Sequence, residues 1–278
     1  MLDEKIISET LKNENFYIDD DLAMVVAMAK SLNKPMLLEG PAGVGKTDLA
    51  RFIAQGFGME FIRLQCYEGL DESHALYEWN YQKQLLFLES KRNGDWQEVQ
   101  NQIFSQEFLL PRPLLKSFLT DNQAVLLIDE IDKSDEAFES FLLEALSDFA
   151  VTIPEWGTIK AKVPPMVFLT SNGIRDFSDG LKRRCVHYYI DYPTVEREMQ
   201  IIKAKVPGIG DSLIGQICQF LEKIRKMKIK KKPSIAEALD WAQVLVNLSV
   251  QDLKDKKVDS TYCFLLKYQE DINLIKKL

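Results

Sequence analysis

The sequence predicts an α/β core built on a parallel sheet, followed by an all-helical region. Three observations carry that expectation. Apolar strand-like runs alternate with helical patterns over residues 1–193, as they do where a parallel sheet is covered on both faces. A glycine-rich segment joins one such strand directly to a helix. From Thr194 onward only helical periodicity is found. The expected division is 1–193 and 194–278, with the boundary near Pro193.

The elements follow in order. "MLDEKIISETLKNEN" is acidic and helical in pattern, unlike a secretory leader. "IDDDLAMVVAMAKSLNK" starts with aspartates suited to a helix N-terminus and puts Leu22, Val25, Val26, Ala29 and Leu32 on one face. "PMLLEG" and "MEFIRLQ" read as strands separated by a helix. Residues from Tyr67 to Leu119 are polar and aromatic, and helical pieces are expected there. "AVLLIDE" is a buried strand ending in acid, and "SDEAFESFLLEALSDFA" is a helix with Phe138, Phe141, Leu142, Ala145 and Phe149 in one stripe. "VTIPEWGTIKAKV" reads as a hairpin turned at Pro-Glu-Trp-Gly, whose Trp156 either meets a partner or folds back onto the sheet. "MVFLTSN" and "VHYYIDYP" are further strands. "TVEREMQIIKAKV", "GDSLIGQICQFLEKIRKM", "SIAEALDWAQVLVNL" and "STYCFLLKYQEDINLIKKL" are helical.

Composition narrows the function classes. The 278 residues are 46% hydrophobic and 28% charged, with net charge −7, so an electrostatic nucleic-acid binder is not expected. No apolar run approaches the ~20 residues that span a bilayer, and a cytoplasmic location is expected. The cysteines (Cys66, Cys185, Cys218, Cys263) are scattered without a C-x-x-C pair, and His74 and His187 have no matching ligand set. Neither a zinc site nor a disulfide framework is expected.

The chemistry-bearing motif is "GPAGVGKT", Gly40 to Thr47, which matches G-x-x-x-x-G-K-[ST] between a strand and a helix. Such a loop turns the backbone N–H groups of Gly40, Pro41, Ala42, Gly43, Val44 and Gly45 (proline excepted) and of the residues up to Asp48 toward phosphate oxygens, aided by the helix dipole. Lys46 then reaches the β/γ-phosphates, and the Thr47 hydroxyl ligates Mg²⁺. Asp129, at the C-terminal end of "AVLLIDE", sits where open α/β sheets bind ligands. It is expected to hold the magnesium, largely through water, with Glu130 orienting or deprotonating the attacking water. Asn172 ends "FLTSN" and either positions that water or caps a turn. The side-by-side Arg183 and Arg184 need an anionic partner. Within this chain the candidates are Asp176 and Asp179.

Together "GPAGVGKT", "LLIDEIDKS", "FLTSN", "LKRRCVHYYIDYP" and "KPSIAEALDWA" resemble the AAA+ ATPases, and within them the MoxR group near its CoxD-like branch. The resemblance covers nearly the whole chain. It implies a P-loop NTPase core of AAA+ type with a helical lid, ATP and Mg²⁺ as ligands, and a homo-oligomeric, hexameric ring. It places Arg183 and Arg184 at the arginine-finger position, with Arg184 preferred, completing a neighbour's site. It also implies a von Willebrand A-domain protein partner, and chaperone-like remodelling or maturation of a protein or metalloenzyme complex. Tyr17 and Ile18 would border the adenine. The sequence departs from the pattern at the so-called sensor 2. "KKPSIAEAL" puts Ile235 or a neighbour where relatives carry arginine, leaving Lys231 or Lys232 as substitutes. An ATP-gated scaffold with little turnover, and McrB-like, gas-vesicle-type or clamp-loader roles, stay open as alternatives. "KMKIKKKP" reads as a solvated link between lid helices, and Arg112 as a candidate for an intersubunit face.

Overall fold

The computed structural model of the chain describes residues 3–91, 102–154 and 156–277. Helices α1 (Glu4–Asn13) and α2 (Asp20–Ser31) precede β1 (Met36–Glu39) and α3 (Lys46–Gly56). Then come β2 (Glu60–Gln65), α4 (Glu72–Leu76), β3 (Tyr77–Trp79), α5 (Tyr81–Ser90), β4 (Leu109–Pro111) and α6 (Pro113–Leu119). They lead to β5 (Ala124–Asp129), α7 (Glu136–Asp148), β6 (Ala150–Ile153), β7 (Gly157–Lys160), β8 (Met166–Ser171), α8 (Asp179–Arg184) and β9 (Val186–Tyr189). The helices α9 (Val195–Lys205), α10 (Asp211–Lys226), α11 (Ile235–Asn247), α12 (Tyr262–Leu265) and α13 (Gln269–Ile275) close the chain.

The main sheet is five-stranded and parallel, in the order β2–β5–β8–β1–β9. Every residue of β5 and β8 is buried, which explains why their sequences are unbroken apolar runs without alternation. The pleat still sorts their side chains. Leu37, Leu126, Ile128 and Leu169 pack with α6 and α7 on one face. Met36, Leu38, Val125, Leu127 and Phe168 pack with α1, α2 and α3 on the other.

A third core lies in the last helices, around the fully buried Trp241. The Trp241 indole N–H donates to Thr261 Oγ1 at 2.7 Å, which meets the need of a buried indole for an acceptor. Arg225 reaches Glu198 with two N–H groups, at 3.0 and 2.7 Å, in the same region.

Two expectations are corrected and one is extended. Leu32 does not share the buried stripe of α2 but is 64% exposed, whereas Ala23 and Ala27 are buried. The buried arc is thus shifted around the helix toward small residues that allow close packing. Residues 67–119 hold the expected helical pieces, α4, α5 and α6, and in addition β3 and β4, a two-stranded antiparallel ribbon with Trp79 opposite Leu109. Local sequence cannot announce a pairing between segments thirty residues apart. The last stretch is not one helix: α12 and α13 are separated at Leu266, whose backbone is extended. The predicted hairpin is β6–β7. Its Trp156 packs against the main core, the fold-back alternative, while Glu155 of the turn lies outside the described residues.

Candidate active site

Strand β1 delivers the chain to the sheet's C-terminal edge, where it turns into α3 through the glycine-rich loop. Gly45 is the N-cap of α3 at φ +99°, and Gly43 lies at φ +78°, a region that L side chains seldom adopt. Gly43 has a second constraint. A Cβ there would fall 2.4 Å from Ser234 Oγ, so the loop and the start of α11 approach to a distance that excludes any side chain.

Lys46 is buried and crosses the loop. Its ammonium donates to Gly40 O (2.6 Å), Pro41 O (2.7 Å) and Asn172 Oδ1 (2.9 Å). Burial pushes its pKa down to about 8, against the opposing pull of Asp132, Asp129, Glu130 and Glu39. Ala42, Gly43, Gly45, Lys46, Thr47 and Asp48 line one cleft together with Asp129, Glu130 and Asn172. Asp48 also pairs with Arg51.

Asp129 is buried and its carboxylate is saturated with donors. Oδ1 accepts from Thr47 Oγ1 at 2.9 Å and from Thr170 Oγ1. Oδ2 accepts from Arg63 Nε at 3.0 Å and from Arg63 Nη2. Glu130 follows in the left-handed region, at φ +56°, uncommon for a residue with a Cβ. Its N–H donates to Thr170 Oγ1 at 2.9 Å. The Glu130 carboxylate Oε2 accepts from Lys133 Nζ at 2.6 Å and from Gln65 Nε2 at 2.8 Å. Asn172 Nδ2 approaches Oε1 at 3.5 Å. The buried Asp132 accepts the backbone N–H groups of Asn172 and Ile174 on Oδ2 and so holds the loop after β8 in place.

A second cleft of about 380 Å³ adjoins the first and is bordered by Tyr17, Ile18, Val44, Tyr192, Ile235 and Leu239. Arg197 of α9 ties its rim together, donating to Asp19 Oδ2 at 2.9 Å and to the Tyr17 carbonyl. The N-terminus of α11 closes the space between the clefts, with Ser234 and Glu237 forming a reciprocal cap. The residue of α11 that lines the first cleft is Ala236. Lys231 is paired with Glu237 at 2.8 Å, and neither it nor Lys232 lines either cleft.

Arg183 and Arg184 lie outside both clefts, exposed in the last turn of α8. Among the described residues neither makes an ion pair. Asp176 stands 4.0 Å from Lys182 instead. Arg112 pairs with Glu78. In the basic link before α11, Lys226 pairs with Glu222 and Lys230 with Glu270.

Sequence reasoning missed Arg63, Gln65, Lys133, Asp132 and Thr170. Gln65 ends a strand, so the rule that ligands bind at strand C-termini offered a signal. The order that sets β2 beside β5 did not.

The donors fit magnesium and a polyphosphate. Thr47 and Asp129 supply hard oxygen ligands of the kind Mg²⁺ takes. Among the described residues no group of three or more His, Cys, Asp or Glu is placed to hold a metal ion by itself, so phosphate oxygens and water would complete the shell. Among the described residues no helix is long and apolar enough to cross a membrane.

Comparison with known proteins agrees with this geometry. An uncharacterized protein of Staphylococcus haemolyticus is 26% identical over 246 residues, covering 86% of each chain. One from Staphylococcus aureus is 28% identical over 224 residues, covering 78% of this chain and 77% of the relative. A RuvB mutant of Thermotoga maritima shares the fold, with TM-score 0.50 at 18% identity over 94% of this chain and 70% of that one. Residues 36–192 match the family described as ATPase family associated with various cellular activities (AAA). That span runs from β1 through the glycine-rich loop, Asp129, Glu130, Asn172 and the arginine pair, and the chain belongs to the AAA family.

Proposed function

We propose that this chain is a magnesium-dependent ATP-hydrolysing ring motor of MoxR type, near the CoxD-like branch. It acts as a chaperone in remodelling or maturing a partner protein or metalloenzyme complex. The observation that carries the reading is the convergence of Lys46, Thr47, Asp129, Glu130 and Asn172 on one cleft, under the N-terminus of α11. Bound magnesium would neutralise phosphate charge, held by Thr47 and Asp129. Lys46 exchanges its loop carbonyls for β- and γ-phosphate oxygens. Glu130 accepts a proton from the attacking water as that oxygen bonds to the γ-phosphorus and the bond to ADP breaks. Asn172, already between Lys46 and Glu130, orients the γ-phosphate and the water. The base sits in the adjoining cleft beside Tyr17 and Ile18.

Arg183 and Arg184, exposed and without an ion pair among the described residues, supply the trans element. A guanidinium that meets no carboxylate among the described residues of its own subunit is available to a neighbour's γ-phosphate, where such fingers accelerate transfer by about 10³–10⁵. Completion in trans requires head-to-tail contacts that close into a ring, and a hexamer is proposed. The residues 194–278 serve as the lid that moves against the core, and a von Willebrand A-domain protein is the proposed partner.

A second reading, an assembly scaffold with little turnover, is favoured by one feature: Ala236, not an arginine, faces the phosphate cleft from α11. Magnesium-dependent ATP hydrolysis measured as protein concentration rises, with mass followed by light scattering, separates the two. The motor reading expects specific activity to climb with assembly, Glu130→Gln to abolish it with ATP still bound, and Arg184→Ala to abolish it in the oligomer. Equal, minimal turnover in wild type and Glu130→Gln would establish the scaffold.

A further inference from the structure

Arg63 has no part in the phosphate-loop chemistry, yet its guanidinium holds the carboxylate oxygen Oδ2 of Asp129 with two N–H groups. Oδ1 is meanwhile committed to the hydroxyls of Thr47 and Thr170. The two partners are unequally placed. The Asp129 side chain is 4% exposed, and that of Arg63 is 49% exposed. Arg63 comes from β2, the edge strand, with Nη2 also bonded to Gln65. It is therefore a cation that can leave, seated on an anion that cannot.

A buried carboxylate needs a compensating charge at all times. A guanidinium and a divalent cation cannot both sit against one carboxylate without repulsion in a site of reduced dielectric. Resting on the nucleotide-site reading above, we infer that Arg63 is the internal counter-ion of Asp129 and competes with magnesium for it. In the nucleotide-free protein Arg63 neutralises Asp129 and keeps free divalent cations out. When metal arrives with nucleotide, Arg63 yields Oδ2 and its half-exposed guanidinium turns outward to solvent, while the cation takes its place as the counter-charge of Asp129. Arg63 is thus a positioning residue that makes the site load metal and nucleotide as a unit, and it keeps Asp129 from repelling nucleotide that comes without metal.

The test uses the full chain and two binding measurements. Mn²⁺ serves as the metal probe, read by electron paramagnetic resonance without nucleotide. A fluorescent ATP analogue is titrated with magnesium or with EDTA. An opposite charge within ~4–6 Å shifts a carboxylate's proton affinity by about 10–1000-fold, and the same interaction acts here on metal. Arg63→Gln is expected to tighten Mn²⁺ binding by about tenfold or more and to weaken EDTA-phase nucleotide binding by about tenfold or more. Affinity with magnesium should stay within about threefold. Arg63→Lys, which keeps the charge, should follow wild type, and it carries the test if Arg63→Gln does not fold. Mn²⁺ affinity unchanged in Arg63→Gln, or a Lys variant that behaves as a neutral one, overturns the inference. If wild type binds the analogue under neither condition, the nucleotide-site reading itself fails. If it binds normally and the charge-removing Arg63→Gln matches it in both measurements, only the counter-ion role fails.

Discussion

Gln65 Nε2 lies 2.8 Å from Glu130 Oε2, reaching it from a strand that neighbours Glu130's own, with Gln65 registered opposite Asp129. The contact turns the Glu130 carboxylate toward β2, and Lys133 holds the same oxygen at 2.6 Å. In the proposed mechanism Glu130, so tethered, must be released before it can take a proton from water.

Removing the tether should therefore speed the reaction. A hydrogen bond to a charged group is worth about 1.5–3 kcal/mol, so Gln65→Ala is expected to raise turnover by about 10-fold or more with nucleotide affinity unchanged. Steady-state hydrolysis alongside a binding titration checks it. A loss of turnover would instead make Gln65 a support for the productive position.

The approach of Gly43 to Ser234 makes a second prediction. Gly43→Ala adds a Cβ at φ +78° and only 2.4 Å from Ser234 Oγ. The backbone penalty alone is roughly 1–2 kcal/mol. Nucleotide affinity is expected to fall at least ~10-fold, and Gly43→Ala combined with Ser234→Gly should recover part of the loss. Calorimetric titration of the two variants reads the difference.

Lys46 predicts a pH dependence. Burial lowers its pKa from 10.5 to about 8, so between those values the folded chain binds fewer protons than the unfolded one. The sign follows: Lys46 makes stability rise with pH across that window, because its charged form is the one that folding penalises. Phosphate oxygens reverse the preference. Above about pH 8, nucleotide binding should take up a proton and weaken as pH rises. Calorimetry in two buffers of different ionisation enthalpy measures the uptake, which should vanish in Lys46→Met.

The ion pair between Glu198 and Arg225 predicts a stability change away from the site. Both side chains are largely buried, at 1% and 10% exposure, and burial pushes the Glu198 pKa up against the pull of Arg225. Arg225→Met strands the carboxylate and should cost about 3–5 kcal/mol, whereas Glu198→Leu with Arg225→Met should restore most of it. Thermal melts of the two variants distinguish them.

The convergence of Lys46, Thr47, Asp129, Glu130 and Asn172 on one cleft was legible in the sequence, because each is bound to a local pattern. Four sit at a strand-to-loop or loop-to-helix junction whose apolar run marks where the backbone surfaces, and Thr47 follows Lys46 into the helix. Arg63 carried no such mark, and Gln65 only that of ending a strand. Both lie in a strand of ordinary composition and acquire their partners only because β2 pairs with β5. The exposed Leu32 and the β3–β4 ribbon escaped for the same kind of reason.

By itself the sequence determined the phosphate loop, the alternation that makes a parallel sheet and the helical last third, since these rest on periodicity and on short-range backbone geometry. Only the tertiary structure decided which side chains face the reactive carboxylates: Arg63 on Asp129, Gln65 and Lys133 on Glu130, Ala236 where an arginine was sought. The physical reason is strand order and helix docking. Both are set by burying apolar surface over the whole chain, and that burial brings together residues with no sequence relation to one another.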